Sequence, residues 1–236
     1  NNRVEADMTQ ILTKEQLQAY PADKINDIIN TAFVYDDFAW QRDNKIAINY
    51  KDRAKGLHKV LYQCPNCQTE YYMNSDKHYL WCEHCHKKWS MNEYGQLAAE
   101  TGDTEFSHIP DWYEWERSNV RKEVETNTYF FESEVHVDSL PNANGYIPLG
   151  KATLTHDHNG FRLVGKYQDD PYEMIKTVES MYSCHIEFNY LGKYGDCVDL
   201  NTLDDTYYIY PEKERFSVTK IALATEELYN YHRNKD

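Results

Sequence analysis

The sequence predicts an α+β chain of several parts: an N-terminal helical connector, a four-cysteine ribbon, and a C-terminal seven-stranded antiparallel β domain closed by a helix. Three observations carry this expectation. Apolar residues recur at helical spacing within residues 11–44. Four of the six cysteines crowd into residues 64–85 as two Cys-x2-Cys pairs. From Asn127 the pattern changes to period two, and a last amphipathic helix follows. The parts are expected at 1–60, 61–100 and 127–236, with a linking helix at 101–126.

The connector begins with "LTKEQLQAY", where Thr13 precedes Glu15 and Gln16 as a helix cap would. After Pro21, the residues Ile25, Ile28, Ile29, Ala32 and Phe33 share one helical face. Asp36 and Asp37 form a carboxylate pair, but sequence neighbours point apart on a helix, so the pair reads as a solvated face. "YKDRAKGLHK" then brings Lys51, Arg53, Lys55 and Lys59 together, as a solvated linker or a local basic patch.

The cysteines are Cys64 and Cys67, then Cys82 and Cys85. Each pair fits one tight turn, and the intervening residues form a hairpin that brings the turns face to face. The expected strands are "TEYYM" and "HYLWC", joined by "NSDK". Four thiolates at tetrahedral angles are what a structural zinc ion takes, so Zn2+ is the expected cofactor and these four cysteines its ligands. Disulfides, a redox pair and an iron–sulfur cluster suit the context less well. Lys77, Lys87 and Lys88 are placed to offset the thiolate charge, and His84 or His86 are not needed as ligands. With four protein ligands no position is left for water, so the ion is expected to be structural rather than catalytic.

Residues 109–125 form the linking helix, with Asp111 and Glu114 at capping-box spacing and Trp112, Tyr113, Val120 and Val124 on one face. Strands then follow at Tyr129–Val137, around Ala152 and Leu154, and at Phe161 and Leu163 after an Asn159-Gly160 turn. "YEMIKTV", the alternating run Tyr182 to Tyr190, Val198 with Leu200, and "TYYIY" complete seven. Ser217 caps a helix with Val218, Ile221, Ala222, Thr225, Leu228 and Tyr229 on one stripe. Cys184 reads as core, and Cys197 has the opposite parity to Val198 and Leu200. His156, Asp157 and His158 read as a polar turn, with a weak metal or acid/base cluster as the alternative. Seven strands and a closing helix resemble the pleckstrin-homology superfold in topology.

The net charge is −14, and it is uneven. Acids and bases balance through residue 90. Residues 91–125 then hold nine acids against three bases, and 126–236 eighteen against ten. Such a surface repels phosphate backbones and anionic headgroups, which argues against nucleic acid as the partner. No apolar run of about 18 residues offers a membrane span, and no secretory leader is visible. The chain starts at Asn1 rather than Met, and is expected to be a piece of a longer protein.

A set of stretches carries a resemblance: "RVEADMTQILTKEQ", "YDDFAWQ", "INYKDRAKGLHKVLYQCPNC", "TEFSHIPDWYEWER", "HVDSLPNA", "MYSCHIEFNYLGKYGDCVDLNTLDDTYYIYP" and "FSVTKIALATEELY". They look like the C-terminal extension of a bacterial family of lysophospholipid (1-acylglycerol-3-phosphate) acyltransferases. The resemblance implies a catalytic domain followed by a helical connector, a zinc ribbon and a β-rich tail. That family's chemistry uses His-x4-Asp and a Pro-Glu-Gly sequence. Neither occurs here. His78 with Glu83 comes nearest, inside a knuckle, and Pro211-Glu212 is followed by Lys213. No catalytic residue is therefore expected, and the chain reads as a non-catalytic accessory region of an acyltransferase-like protein. The expected partner is the parent's own catalytic domain or another protein, in the cytoplasm or peripheral to the inner face of the membrane. A zinc-ribbon nucleic-acid-binding protein and a free-standing enzyme with its site in the β domain are the alternatives.

Overall fold

The computed structural model describes residues 8–141 and 145–233. Parts of two of the stretches that carry the resemblance, residues 3–7 and 142–143, lie outside them. The chain divides into two compact units after Ile46.

In the first unit, α1 (Lys14–Ala19), α2 (Ala22–Ala32) and α3 (Asp37–Asp43) follow one another. Thr13 caps α1 with a full capping box: its hydroxyl accepts from the Gln16 N–H, and the Gln16 side chain accepts from the Thr13 N–H. Pro21 precedes α2, where its missing N–H costs nothing. Asp36, expected on a solvated face, caps α3 by accepting from the Ala39 N–H at 2.8 Å. None of the three helices buries a residue among those described.

The second unit starts at Ala47, so the expected boundary at residue 60 falls inside it. Residues 54–59 are tied to the ribbon: the Ala54 N–H donates to Lys77 O and the Gly56 N–H to Ser75 Oγ. The ribbon itself is a four-stranded antiparallel meander of β1 (Met73–Asp76), β2 (Tyr79–Cys82), β3 (Lys88–Met91) and β4 (Leu97–Ala99). Its first hairpin differs from the expected one. Tyr71 has a positive φ of 65° and ends the extended run early, while Asn74, Ser75 and Asp76 are in the strand. The turn is Lys77-His78, with Lys77 left-handed at φ 53°.

Helix α4 (Ile109–Glu125) has the expected bounds. Its cap differs: His108 occupies the N-cap without a side-chain capping bond, and Pro110 in the first turn supplies the start instead of an Asp111–Glu114 box. Trp112, Val120 and Val124 are buried, and so is Glu116.

The seven-stranded antiparallel sheet comprises β5 (Phe131–Ser139), β6 (Ile147–Asp157), β7 (Gly160–Tyr167), β8 (Asp170–Lys176), β9 (His185–Glu187), β10 (Cys197–Asn201) and β11 (Thr206–Pro211). Their order is β8-β7-β6-β5-β11-β10-β9. The β6–β7 loop is His158-Asn159, one residue earlier than the Asn159-Gly160 signal suggests. Gly160 opens β7 at φ 92°, and a Cβ there would sit 2.0 Å from Lys176 O, so only glycine fits. The run 182–190 alternates most cleanly in the sequence yet yields a three-residue strand, His185–Glu187, and the left-handed Asn189 stops it from continuing.

Helix α5 (Val218–Arg233) starts where Ser217 Oγ accepts from the Lys220 N–H. It is buried on more than the predicted stripe: Thr219, Lys220, Leu223, Ala224 and Glu227 are buried too. The reason is that α5 is covered twice. Val218, Ile221 and Leu228 share one core with Val135, Val137, Leu154, Leu200 and Ile209 of the sheet and with Val120 and Val124 of α4. Tyr62, from the ribbon segment, belongs to the same core. Ribbon, α4, sheet and α5 are thus one packed body. Among the described residues no helix is long and apolar enough to cross a membrane.

Candidate metal centre

The two Cys-x2-Cys turns are copies of one another. In the first, the Gln68 N–H donates to Cys64 O at 2.8 Å and the Cys64 N–H to Thr69 O at 3.0 Å. In the second, the His86 N–H donates to Cys82 O and the Cys82 N–H to Lys87 O, both at 2.9 Å. Gln68 and His86 take the left-handed conformation at φ 61° and 62°, which closes each knuckle. Backbone N–H groups of Asn66 and Cys67 point at the Cys64 sulfur, and those of His84 and Cys85 at the Cys82 sulfur.

Strand β2 ends in Cys82 and pairs it with Met73, which folds the second knuckle back over the first. The result brings all four predicted ligands together. Cys64 Sγ lies 3.6 Å from Cys85 Sγ, and Cys67 Sγ lies 3.8 Å from Cys82 Sγ. All four sulfurs fall within 4.8 Å of one another. Tetrahedral Zn–S bonds of about 2.3 Å put sulfurs about 3.8 Å apart, so the spacing suits four thiolates around one ion. A disulfide needs about 2.05 Å, and all six cysteines are free.

The sulfurs sit in unequal surroundings. Burial pushes the Cys64 and Cys82 thiols up. Cys67 is the reverse: burial opposes ionisation, but bonds from Thr69 outweigh it and hold the thiol down at about 6. Zinc ligation requires thiolates, so an ion held here would favour the deprotonated form of all four sulfurs. Asn66 Nδ2 donates to Cys85 Sγ across the site at 3.4 Å, and Thr69 Oγ1 lies 3.4 Å from Cys67 Sγ. Sequence reading missed Asn66 and Thr69 in these roles, although both lie within two residues of a ligand.

The three lysines expected to balance thiolate charge are engaged elsewhere. Lys87 pairs with Glu105, Lys88 pairs with Glu100 and covers the Tyr79 ring, and Lys77 sits at the far tip of the β1–β2 hairpin. His84 and His86 are not among the grouped ligands.

Other sequence candidates resolve in the same way. Arg53 donates to the Met91 and Asn92 carbonyls, and Lys59 pairs with Asp196, so half of the basic stretch is already committed. His156 is buried inward against Phe161 and Tyr129, while His158 bonds Val124 O, so the pair does not converge. His78 and Glu83 lie at opposite ends of β2. Trp112 packs edge-on against Trp89 at 5.1 Å and donates from Nε1 to Gln63 O, which makes it a buttress of the first knuckle. Cys197, despite its parity, is fully buried, because β10 is covered on both faces.

No family model matches the chain, and neither the curated proteins nor the solved structures include a significant match.

Proposed function

We propose that the chain is a non-catalytic accessory region of a bacterial phospholipid-biosynthesis acyltransferase-like protein, organised by one structural Zn2+ on Cys64, Cys67, Cys82 and Cys85. The observation that carries the structural part is the closeness of the sulfurs to the common core. Tyr62, two residues before Cys64, is buried with the β-domain residues, and Gln63 O accepts from the Trp112 indole. An ion that locks the knuckles therefore fixes α4 and, through it, α5 and the sheet.

The acyltransferase parentage rests on the sequence stretches that resemble that family; the non-catalytic reading rests on the absence of its His-x4-Asp and Pro-Glu-Gly motifs from these residues. The strand order, with a closing helix, supports a pleckstrin-homology-like interaction module, and the acidic surface favours a protein partner in the cytoplasm over nucleic acid. The parent's own catalytic domain is the first partner to test.

Two experiments address the two halves. Extending the coding sequence upstream of Asn1 is expected to reveal an acyltransferase domain with His-x4-Asp; an unrelated domain there removes the parentage. Cys64→Ser is expected to loosen the β domain as well as the ribbon, seen as lost amide protection in α5. A variant that unfolds only the ribbon would remove the organising role.

A further inference from the structure

Strands β9 and β10 carry a second group of donor side chains at the sheet edge. The antiparallel register sets His185 opposite Asp199 and Glu187 opposite Cys197. Side chains two apart on a strand share a face, so two from each strand converge there. His185 Nε2 lies 3.3 Å from Glu187 Oε1 and 3.7 Å from Asp199 Oδ2, and the three groups can present ligand atoms within 4.8 Å of one another.

Metal bonds of about 2.0–2.2 Å to nitrogen and oxygen separate neighbouring ligands by about 3.0–3.6 Å, so small side-chain adjustments suffice to hold an ion. The polar balance points the same way. The Asp199 side chain is only 7% exposed. Among the described residues its hydrogen bonding amounts to the Cys197 thiol, which reaches Oδ1 at 3.5 Å. Oδ2 is left facing His185, beyond hydrogen-bond range. A carboxylate withdrawn from water without an N–H donor carries a large desolvation cost, which a cation in front of Oδ2 would offset. His185 and Glu187 are open to solvent at 64% and 40%. That side gives an ion its entry path.

We propose that His185, Glu187 and Asp199 form a second metal site, for a divalent transition-metal ion held by one imidazole and two carboxylates. It differs in kind from the sulfur site. The ligands are harder, the ion is reachable, and three protein ligands leave the remaining positions to water or to an outside oxygen or nitrogen donor. The Cys197 thiol orients Asp199 by bonding its other oxygen, as the outer partners of ligating carboxylates do.

The test titrates Zn2+ calorimetrically into the full chain with its cysteine site already zinc-loaded. Wild type is expected to bind one further equivalent saturably. His185→Ala and Glu187→Gln, both exposed positions that leave the core untouched, are each expected to weaken it at least tenfold. Asp199→Asn should do the same, with circular dichroism as its control for folding. Imidazole resonances of His185 should shift on addition of metal in wild type, and only at correspondingly higher metal concentration in Glu187→Gln. The proposal is overturned if no further equivalent binds, or if it binds with equal affinity in the His185 and Glu187 variants; the second result would mean adventitious binding elsewhere. Because every variant keeps Cys64, Cys67, Cys82 and Cys85, a difference between variants reports on this site and not on the sulfur site.

Discussion

Lys220 Nζ, on the closing helix α5, lies 2.8 Å from Glu70 Oε1, in the segment between the first knuckle and β1. The same ammonium reaches Glu123 Oε1 of α4 at 2.8 Å. One nearly buried cation therefore ties together the ribbon, the linking helix and the β domain, and its loss leaves two carboxylates facing each other.

Lys220→Met is expected to destabilise the second unit by about 3 kcal/mol, because breaking a largely buried pair strands the remaining charge. Urea unfolding at pH 7 measures it, with an unchanged slope. The double variant Lys220→Met with Glu70→Gln should cost less than the two singles together. Strict additivity would mean that the bridge is not energetically coupled.

Glu116 sets a pH dependence of one sign. Burial holds its carboxyl well above the usual range. Its Oε1 accepts from the Gln63 N–H at 2.8 Å, and Oε2 is buried without a partner. With the folded value above the unfolded one, its contribution is full below about pH 4.5 and is lost as pH rises through the folded value. Glu116→Gln keeps the accepting oxygen and removes the titration. Its stability relative to wild type should therefore grow with pH, by at most about 1.4 kcal/mol per unit. A constant difference from pH 5 to pH 9 would contradict this.

His156 sets the opposite sign. It is buried between Phe161, stacked at 3.8 Å, and Tyr129, whose hydroxyl lies 2.9 Å from Nδ1. Burial lowers its pKa from 6.5 to about 3. The stability it permits is present above the unfolded value and is lost as pH falls from 6.5 toward 3. Comparing His156→Asn with wild type at pH 7 and pH 5, in excess zinc, isolates the effect. The variant should start less stable and lose less on acidification. Equal losses would mean that His156 stays solvated.

Much of this was legible in the sequence because the signals are local. Two Cys-x2-Cys pairs determine their own turns, and α4 is bounded as its periodicity predicts. Seven strands follow from alternation and turn chemistry. Effects that depend on distant chain were not legible. Glu116 looks like a surface acid until the ribbon backbone lies over it. The left-handed Tyr71 and Lys77, which shift the first hairpin, have no glycine to announce them. His185 and Asp199 meet only through the β9–β10 register. The runs His-x-Glu and Cys-x-Asp carried that signal, since period two puts each pair on one face, but their pairing did not.

The organising role of the four sulfurs is tested most directly by cobalt substitution. The 236-residue chain refolded with Co2+ is expected to take up one equivalent with a tetrahedral spectrum and a strong thiolate-to-cobalt band, and Cys67→Ser should lower that band. Addition of zinc should bleach it stoichiometrically while α5 keeps its amide protection. A folded chain that takes up cobalt with no thiolate band, or that holds α5 equally well after a chelator has removed all metal, would contradict the account.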